Sequence, residues 1–224
     1  MMIEKRNAGR DAAEYIEDGQ VVGLGTGSTT KYAIERLGER VKEEGLDIIG
    51  IPTSKATEHL AKGVGIPLTN LDENPRIDIT IDGADEVDPE LNLIKGGGGA
   101  LLREKIIAYQ SNKVIIVVDP SKQVKKLGLS FPLPVEVVPF SASATVRNVE
   151  ELGCTANIRM DNGTIFKTDN GNYILDCDFE GIDDLDDCSI GLNSVPGVVE
   201  NGLFIDIADI VVVGKEDSVE EFSL

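Results

Sequence analysis

Through residues 3–118 short apolar runs alternate with stretches of helical periodicity, and that alternation leaves few folds open. Residues 21–24, 47–51, 77–81 and 113–118 read as strands, and 3–18, 31–43, 54–62 and 101–110 as helices with apolar residues on one face. Strands alternating with helices give a mostly parallel sheet covered on both faces, an α/β Rossmann-like layer. Ligands of such sheets bind outside the carboxyl ends of the strands. The polar and glycine-rich stretches 26–29, 82–88, 95–104 and 119–122 lie at those ends.

The pattern changes after Phe131-Pro132-Leu133-Pro134. Residues 135–140, 154–160, 173–177 and 197–203 read as strands, and 143–152 and 183–195 as helices. That order is βαββαβ, a small ferredoxin-like α+β unit. Asp161-Asn162-Gly163 and Asp169-Asn170-Gly171 are turn signals within it. Residues 209–213 are apolar enough for a buried strand that returns to the first sheet. The expected division is a Rossmann-like catalytic domain over 1–130 and 204–224, and a small α+β domain over 131–203.

Forty acidic residues stand against 21 basic ones, for a net charge of −19. Phosphate backbones and anionic membranes need basic surface, so neither nucleic acid nor a membrane is an expected partner. A small phosphorylated substrate needs only a local cationic pocket. Self-repulsion of this size predicts a salt-rich surrounding, where the ~3 Å screening length at 1 M would relieve it. No apolar run approaches the ~20 residues of a membrane span, and the N-terminus lacks the apolar stretch of a signal peptide; the expectation is a cytoplasmic protein. Cys154, Cys177 and Cys188 show no CxxC spacing and read as small apolar residues in a reducing compartment, with no zinc site.

Lys95 precedes four glycines, Gly96 to Gly99, and Glu104 opens the helical pattern behind them. A run without side chains lets backbone N–H groups approach a ligand. A cation, bare backbone and a carboxylate together suit moving a proton beside an oxygen that becomes negative. The alternative is a flexible turn with a solvated Glu–Lys pair. Gly25-Thr26-Gly27-Ser28-Thr29-Thr30 joins a strand to a helix, where amides and hydroxyls can converge on an anion. It departs from the Walker and dinucleotide patterns, and no acidic residue ends the second strand, so a phosphate monoester is favoured over a dinucleotide. The alternative is a Ser/Thr-capped helix start. Asp82-Gly83-Ala84-Asp85-Glu86-Val87-Asp88 reads as a magnesium site, as partners for sugar hydroxyls, or as a solvated acidic turn. Lys122 either meets substrate charge or is a surface lysine. The acidic run from Asp176 to Asp187 begins like an EF-hand loop but alternates like a strand, and reads as a solvated face. His59, the one histidine, stands outside every motif, which excludes His-based triads.

Gly25–Thr29, Asp82–Glu86, Lys95–Ala100, Arg103-Glu104-Lys105, Asp119-x-Ser121-Lys122-Gln123 and residues 131–139 occur in one order that resembles the A-type ribose-5-phosphate isomerases. Asp169-Asn170-Gly171-Asn172 and Pro196-Gly197-Val198-Val199 fit the same pattern, and the resemblance runs from Lys5 to Gly214. It implies interconversion of D-ribose 5-phosphate and D-ribulose 5-phosphate through a cis-enediol(ate), without metal or organic cofactor. It implies Glu104 as the base shuttling a proton between C2 and C1, with Asp82 and Asp85 on sugar oxygens. Lys95 with the amides of Gly96, Gly97 and Gly98 would steady the oxyanion. Thr26, Gly27, Ser28 and Thr29 would hold the phosphate, with Lys5 and Lys122. A homodimer or homotetramer is implied as well. The rivals are a sugar-phosphate deaminase or CoA-transferase of similar fold, and a non-enzymatic sugar-phosphate sensor. A deaminase would want a histidine near the site, and a sensor a DNA-binding segment.

Overall fold

The computed structural model describes residues 1–223, which fall into two units, each with its own core. The first comprises Met1–Ala84, Arg103–Lys122 and the chain from Ile207 onward; the second comprises Asp85–Leu102 and Gln123–Asp206. This differs from the expected division, because residues 85–102, 123–130 and 204–206 cluster with the small unit.

The first unit is built on a six-stranded sheet. Its spatial order is Val219–Phe222, Ile210–Gly214, Val114–Val118, Ile79–Gly83, Val21–Leu24 and Ile49–Pro52. All neighbours are parallel except the edge strand Val219–Phe222, which runs antiparallel to Ile210–Gly214. Taking the parallel strands in chain order, the sheet reads 2-1-3-4-5, so its direction of winding reverses between Val21–Leu24 and Ile79–Gly83. Crevices that bind ligands open at such a reversal. Val114–Val118 is buried at every residue, as a central strand covered on both faces must be. The helix Met2–Ala13 meets the rest of its unit through Ala8, Gly9, Ala12 and Ala13, whose small side chains permit close approach. The helix Lys55–Val64 begins where the Ser54 hydroxyl accepts from the Thr57 N–H and stops at Gly65 in the left-handed conformation.

The second unit holds the expected βαββαβ order. Leu133–Val137, Thr155–Ile158, Tyr173–Asp178 and Val198–Asn201 form an antiparallel sheet, with Leu133–Val137 and Tyr173–Asp178 at its centre. Ala142–Glu150 and Leu185–Asn193 are its helices. Asn162 and Gly163, both at positive φ, join the small hairpin Met160–Asp161/Thr164–Ile165. Glu136, fully buried in Leu133–Val137, accepts hydrogen bonds from Thr168, Asn170 and Asn172. That contact ties the Asp169–Asn172 turn to the sheet. A separate three-stranded sheet pairs Glu86–Val87 and Leu203–Phe204 on either side of Leu93–Ile94. This pairing places the segment leading into the four glycines in the second unit.

Candidate active site

The two strands flanking the winding reversal carry the first group of candidate residues. Asp82, 2 % exposed, ends one of them, and its Oδ1 accepts from the N–H groups of Thr26 (3.0 Å) and Gly83 (2.7 Å). Gly25 is required for this contact, since a Cβ there would lie 2.1 Å from Asp82 Oδ1 and 2.5 Å from Asp82 Cα. The glycine pattern of the loop is thus in part a seat for the aspartate.

The helix Thr30–Glu43 follows, and Thr29 at its N-cap makes no side-chain capping bond. The N–H groups of Lys31 and Tyr32 donate to the carbonyls of Gly27 and Thr29, so this start presents the positive end of the helix dipole behind the exposed Gly27–Ser28 backbone. Lys5 donates to Ser28 Oγ at 3.0 Å, and its Nζ lies 3.8 Å from Asp119 Oδ2, so a lysine from the first helix stands over this loop. Ser28 and Gly27 are exposed, while Thr29 is buried. Thr30 was not among the expected residues. Its buried Oγ1 has no hydrogen-bond partner among the described residues and would sit 3.3 Å from a Cβ at Gly83. The Thr26 hydroxyl does not turn towards the anion-binding position that the spacing predicts. It lies within 2.7 Å of Thr53 Oγ1 and of Ser54 Oγ, and 3.0 Å from Thr57 Oγ1. One proton and two lone pairs are fully used by three partners. Thr26 therefore shapes the loop from two sides, by its N–H and by its hydroxyl.

Glu104 stands in the first turn of the helix Leu101–Tyr109 and is 4 % exposed. Lys122 closes the short 3₁₀ turn Pro120–Lys122, half-buried. Asp119 accepts from the N–H and hydroxyl of Ser121, which fixes the carboxylate beside Lys5.

Asp85, Lys95 and Gly96–Gly98 belong to the second unit. Asp85 Oδ2 accepts from the Gly97 N–H at 2.7 Å, and a Cβ at Gly97 would lie 2.5 Å from Asp85 Oδ1. Lys95 is 3 % exposed, with Nζ 5.3 Å from the centroid of the Phe204 ring. A cation on an aromatic face is stabilised by the ring quadrupole. Gly97 and Gly98 are exposed, so their backbone is open to a ligand. The rest of the acidic stretch is structural. Buried Glu86 accepts from the N–H groups of Gly128 and Ser130, and Asp88 accepts from those of Glu90 and Asn92. Among the described residues no three His, Cys, Asp or Glu side chains are grouped to hold a metal ion. His59 is exposed on its helix, with Nδ1 2.6 Å from the Lys55 carbonyl.

Cavity size alone does not select these residues. A cavity of about 920 Å³ in the first unit is lined by Arg6, Asn7, Arg10 and Arg36 among others, and one of about 580 Å³ by Ile51, Leu68, Arg103 and Ile107 among others, neither with any of the candidates. No helix among the described residues is long and apolar enough to cross a membrane.

The family model described as Ribose 5-phosphate isomerase A (phosphoriboisomerase A) matches residues 49–218. A ribose-5-phosphate isomerase A from Parvibaculum lavamentivorans is 52 % identical, over 97 % of this chain and 96 % of its own. One from Bacillus mycoides is 48 % identical, over 99 % and 100 %. Among solved structures, ribose 5-phosphate isomerase from Plasmodium falciparum superposes with a TM-score of 0.97 at 41 % identity, covering 100 % of this chain and 99 % of that one. A D-ribose-5-phosphate isomerase in complex with phospho-erythronic acid superposes with a TM-score of 0.95 at 46 % identity, covering 98 % and 97 %.

Proposed function

Because this chain belongs to the ribose 5-phosphate isomerase A family, it is an aldose–ketose isomerase interconverting D-ribose 5-phosphate and D-ribulose 5-phosphate, and we propose that Glu104 is the base that carries the proton. The Glu104 carboxylate takes the proton from C2 of the open-chain aldose. The electron pair moves into the C1–C2 bond, the carbonyl oxygen gains the charge, and a cis-enediolate forms. The same carboxyl group returns the proton to C1, giving the ketose. Asp82 and Asp85 contact sugar oxygens and assist ring opening and proton exchange between O1 and O2. Lys95 and the amides of the Gly96–Gly98 run offset the charge on oxygen, where preorganised donors contribute most, with the Gly97 amide holding Asp85 beside them.

Gly27, Ser28 and Thr29 hold the phosphate with Lys5, and Thr30 and Lys122 join them. Thr26 keeps the loop in shape. Phosphate is remote from the reacting carbons, so its binding energy serves to hold the sugar open and oriented. The observation that carries this reading is the uncapped start of Thr30–Glu43 with Lys5 docked on Ser28. In a chain of net charge −19, a helix N-terminus with a lysine over it is a specific seat for one small anion. The deaminase, CoA-transferase and sensor readings have no comparable support. The pathway is the non-oxidative pentose phosphate pathway, in a cytoplasm, and the charge surplus suits a salt-rich one. The second unit supports assembly into a homodimer or homotetramer, since Phe140 (86 % exposed) and Ile190 (65 %) present apolar surface there.

The test follows ribulose 5-phosphate formation with EDTA present, for the native protein and for Glu104→Gln. Native activity should survive the chelator, and the variant should lose several orders of magnitude of kcat. Loss on chelation, or a fully active variant, overturns the assignment.

A further inference from the structure

Arg159 matched no motif, yet its guanidinium joins a carboxylate to the glycine run. Nε donates to Asp176 Oδ2 at 3.0 Å and Nη2 to Asp176 Oδ1 at 2.5 Å, a two-point fork. Nη1 donates to two consecutive carbonyls of the glycine run, Gly96 O at 2.8 Å and Gly97 O at 2.9 Å. The Phe166 ring centroid lies 5.8 Å from Cζ, and the same ring would lie 2.4 Å from a Cβ at Gly99. The Arg159 backbone is fixed as well, donating to Ile174 O and accepting from the Phe166 N–H. The side chain is 14 % exposed.

In a trans peptide the carbonyl and the following N–H point in opposite directions. Holding the Gly96 carbonyl therefore aims the Gly97 N–H away from Arg159, and that N–H does end on Asp85 Oδ2. Holding the Gly97 carbonyl aims the Gly98 N–H in the same fixed manner, on a segment that is exposed. The Gly96–Gly97 peptide is held besides by the Gly99 N–H on its carbonyl and by Asp85 on its N–H, so Arg159 adds most at the Gly97–Gly98 peptide, where glycine would otherwise have the widest choice of backbone conformation. A cation on the carbonyl also polarises its peptide and strengthens the N–H as a donor.

We propose that Arg159, itself held by Asp176, is a positioning residue for the isomerisation: it clamps the Gly96 and Gly97 carbonyls so that the Gly97 amide keeps Asp85 in place and the Gly98 amide is preset for charge developing on the sugar oxygen. This rests on the assignment of the glycine run as the oxyanion side. Charge develops on the way to the enediolate, so losing the clamp should act on kcat more than on KM.

Arg159→Lys keeps one charge but cannot meet Asp176 and both carbonyls. Asp176→Asn keeps the guanidinium and weakens its fork. Each variant is assayed for kcat and KM and for inhibition by phospho-erythronic acid, whose carboxylate presents negative oxygen where the substrate carries a carbonyl. Arg159→Lys should lose about 10- to 100-fold in kcat, a part of what removing an oxyanion donor outright costs. KM should stay within about threefold, and the inhibition constant should weaken in step with kcat/KM. Asp176→Asn should show the same split to a lesser degree, and carries the test if Arg159→Lys fails to fold. Unchanged kcat in a folded variant, or a rise in KM alone, overturns the proposal. So does a fall in kcat with inhibition unchanged. These outcomes differ from failure of the function itself, which appears as an inactive native protein or an active Glu104→Gln.

Discussion

Placing a methyl group on Gly25 is the sharpest perturbation of the first unit. The new Cβ would lie 2.1 Å from Asp82 Oδ1, 2.4 Å from its Cγ and 2.5 Å from its Cα. A side chain could swing aside, but the Cα cannot move unless the strands Val21–Leu24 and Ile79–Gly83 part. Overpacking of this kind costs about 1–3 kcal/mol. Parting the strands also strains the Gly25 N–H bond to Ile81 O and the Thr26 N–H bond to Asp82. These add about 1 kcal/mol for the first and about 2 kcal/mol for the second, which ends on a carboxylate. The total is about 5 kcal/mol, and at about 2–4 °C per kcal/mol for a chain of this size Tm should fall by about 10–20 °C. A displaced Asp82 should also lower kcat/KM by about 100-fold.

Gly63 supplies the opposite sign. It is exposed in the helix Lys55–Val64, and a Cβ there meets nothing within 4 Å. Gly63→Ala should gain about 1 kcal/mol of helix propensity and raise Tm by about 2–4 °C, with activity unchanged. Circular dichroism melts of both variants, and isomerase rates taken at 25 °C, read the pair. A Gly25→Ala variant that melts within 2 °C of the native protein and keeps its rate would refute the steric reasoning.

Lys5→Met should raise KM for ribose 5-phosphate by about 10- to 100-fold, the worth of one charge-assisted bond, and change kcat less; an unchanged KM would place the phosphate elsewhere. Asp11 is held above the usual carboxylate range, first by burial and then by the charges of Glu221 and Glu14. The folded state thus binds that proton more tightly than the unfolded chain, so the stability it lends is complete at low pH and is lost as pH rises through the raised value. Asp11→Asn should accordingly raise Tm at pH 7 in dilute buffer, by about 1–2 °C for a partly solvated group. In 1 M KCl the part owed to Glu221 and Glu14 should shrink while the part owed to burial remains, and the whole gain should vanish at pH 3; a gain undiminished at pH 3 would refute the assignment to the Asp11 carboxylate.

Where the sequence was legible, local pattern and local chemistry agreed. The returning strand Ile210–Gly214 was readable because it is apolar throughout, as a buried parallel strand must be. The ferredoxin-like order was readable because each turn carries its own signal, as at Asn162-Gly163. The edge strand Val219–Phe222 was not, since Glu220 and Glu221 make it polar and only its pairing to Ile210–Gly214 defines it. The first helix was expected to reach residue 18 but stops at Ala13, because buried Ile16 extends the apolar face without extending the helix. Residues 85–102 were expected in the first unit and cluster with the second, where Leu93–Ile94 pairs with Leu203–Phe204, a partner more than a hundred residues later in the chain. At the site, motif spacing proposed Asp82 and the glycines, while Glu104 was proposed from the need for a base together with the family resemblance. Spacing assigned the Thr26 hydroxyl to a ligand because the partners that take it, Thr53, Ser54 and Thr57, come from another loop and helix. Arg159 had no signal at all, as one arginine ahead of a turn is unremarkable until its carbonyl partners are known.

The division of the chain also orders its synthesis. The second unit is complete at Asp206, whereas the first waits for Ile210–Gly214 to lie beside Val114–Val118. On a ribosome adding about 5–20 residues per second, the small unit has all its strands before the large one can close its sheet. Until then Val114–Val118, apolar at all positions, presents an unpaired edge of the kind that invites association with other chains. The interval is set by the length of the intervening unit, so lengthening its loops would prolong the exposure and raise the demand on chaperones without altering any contact in the finished protein.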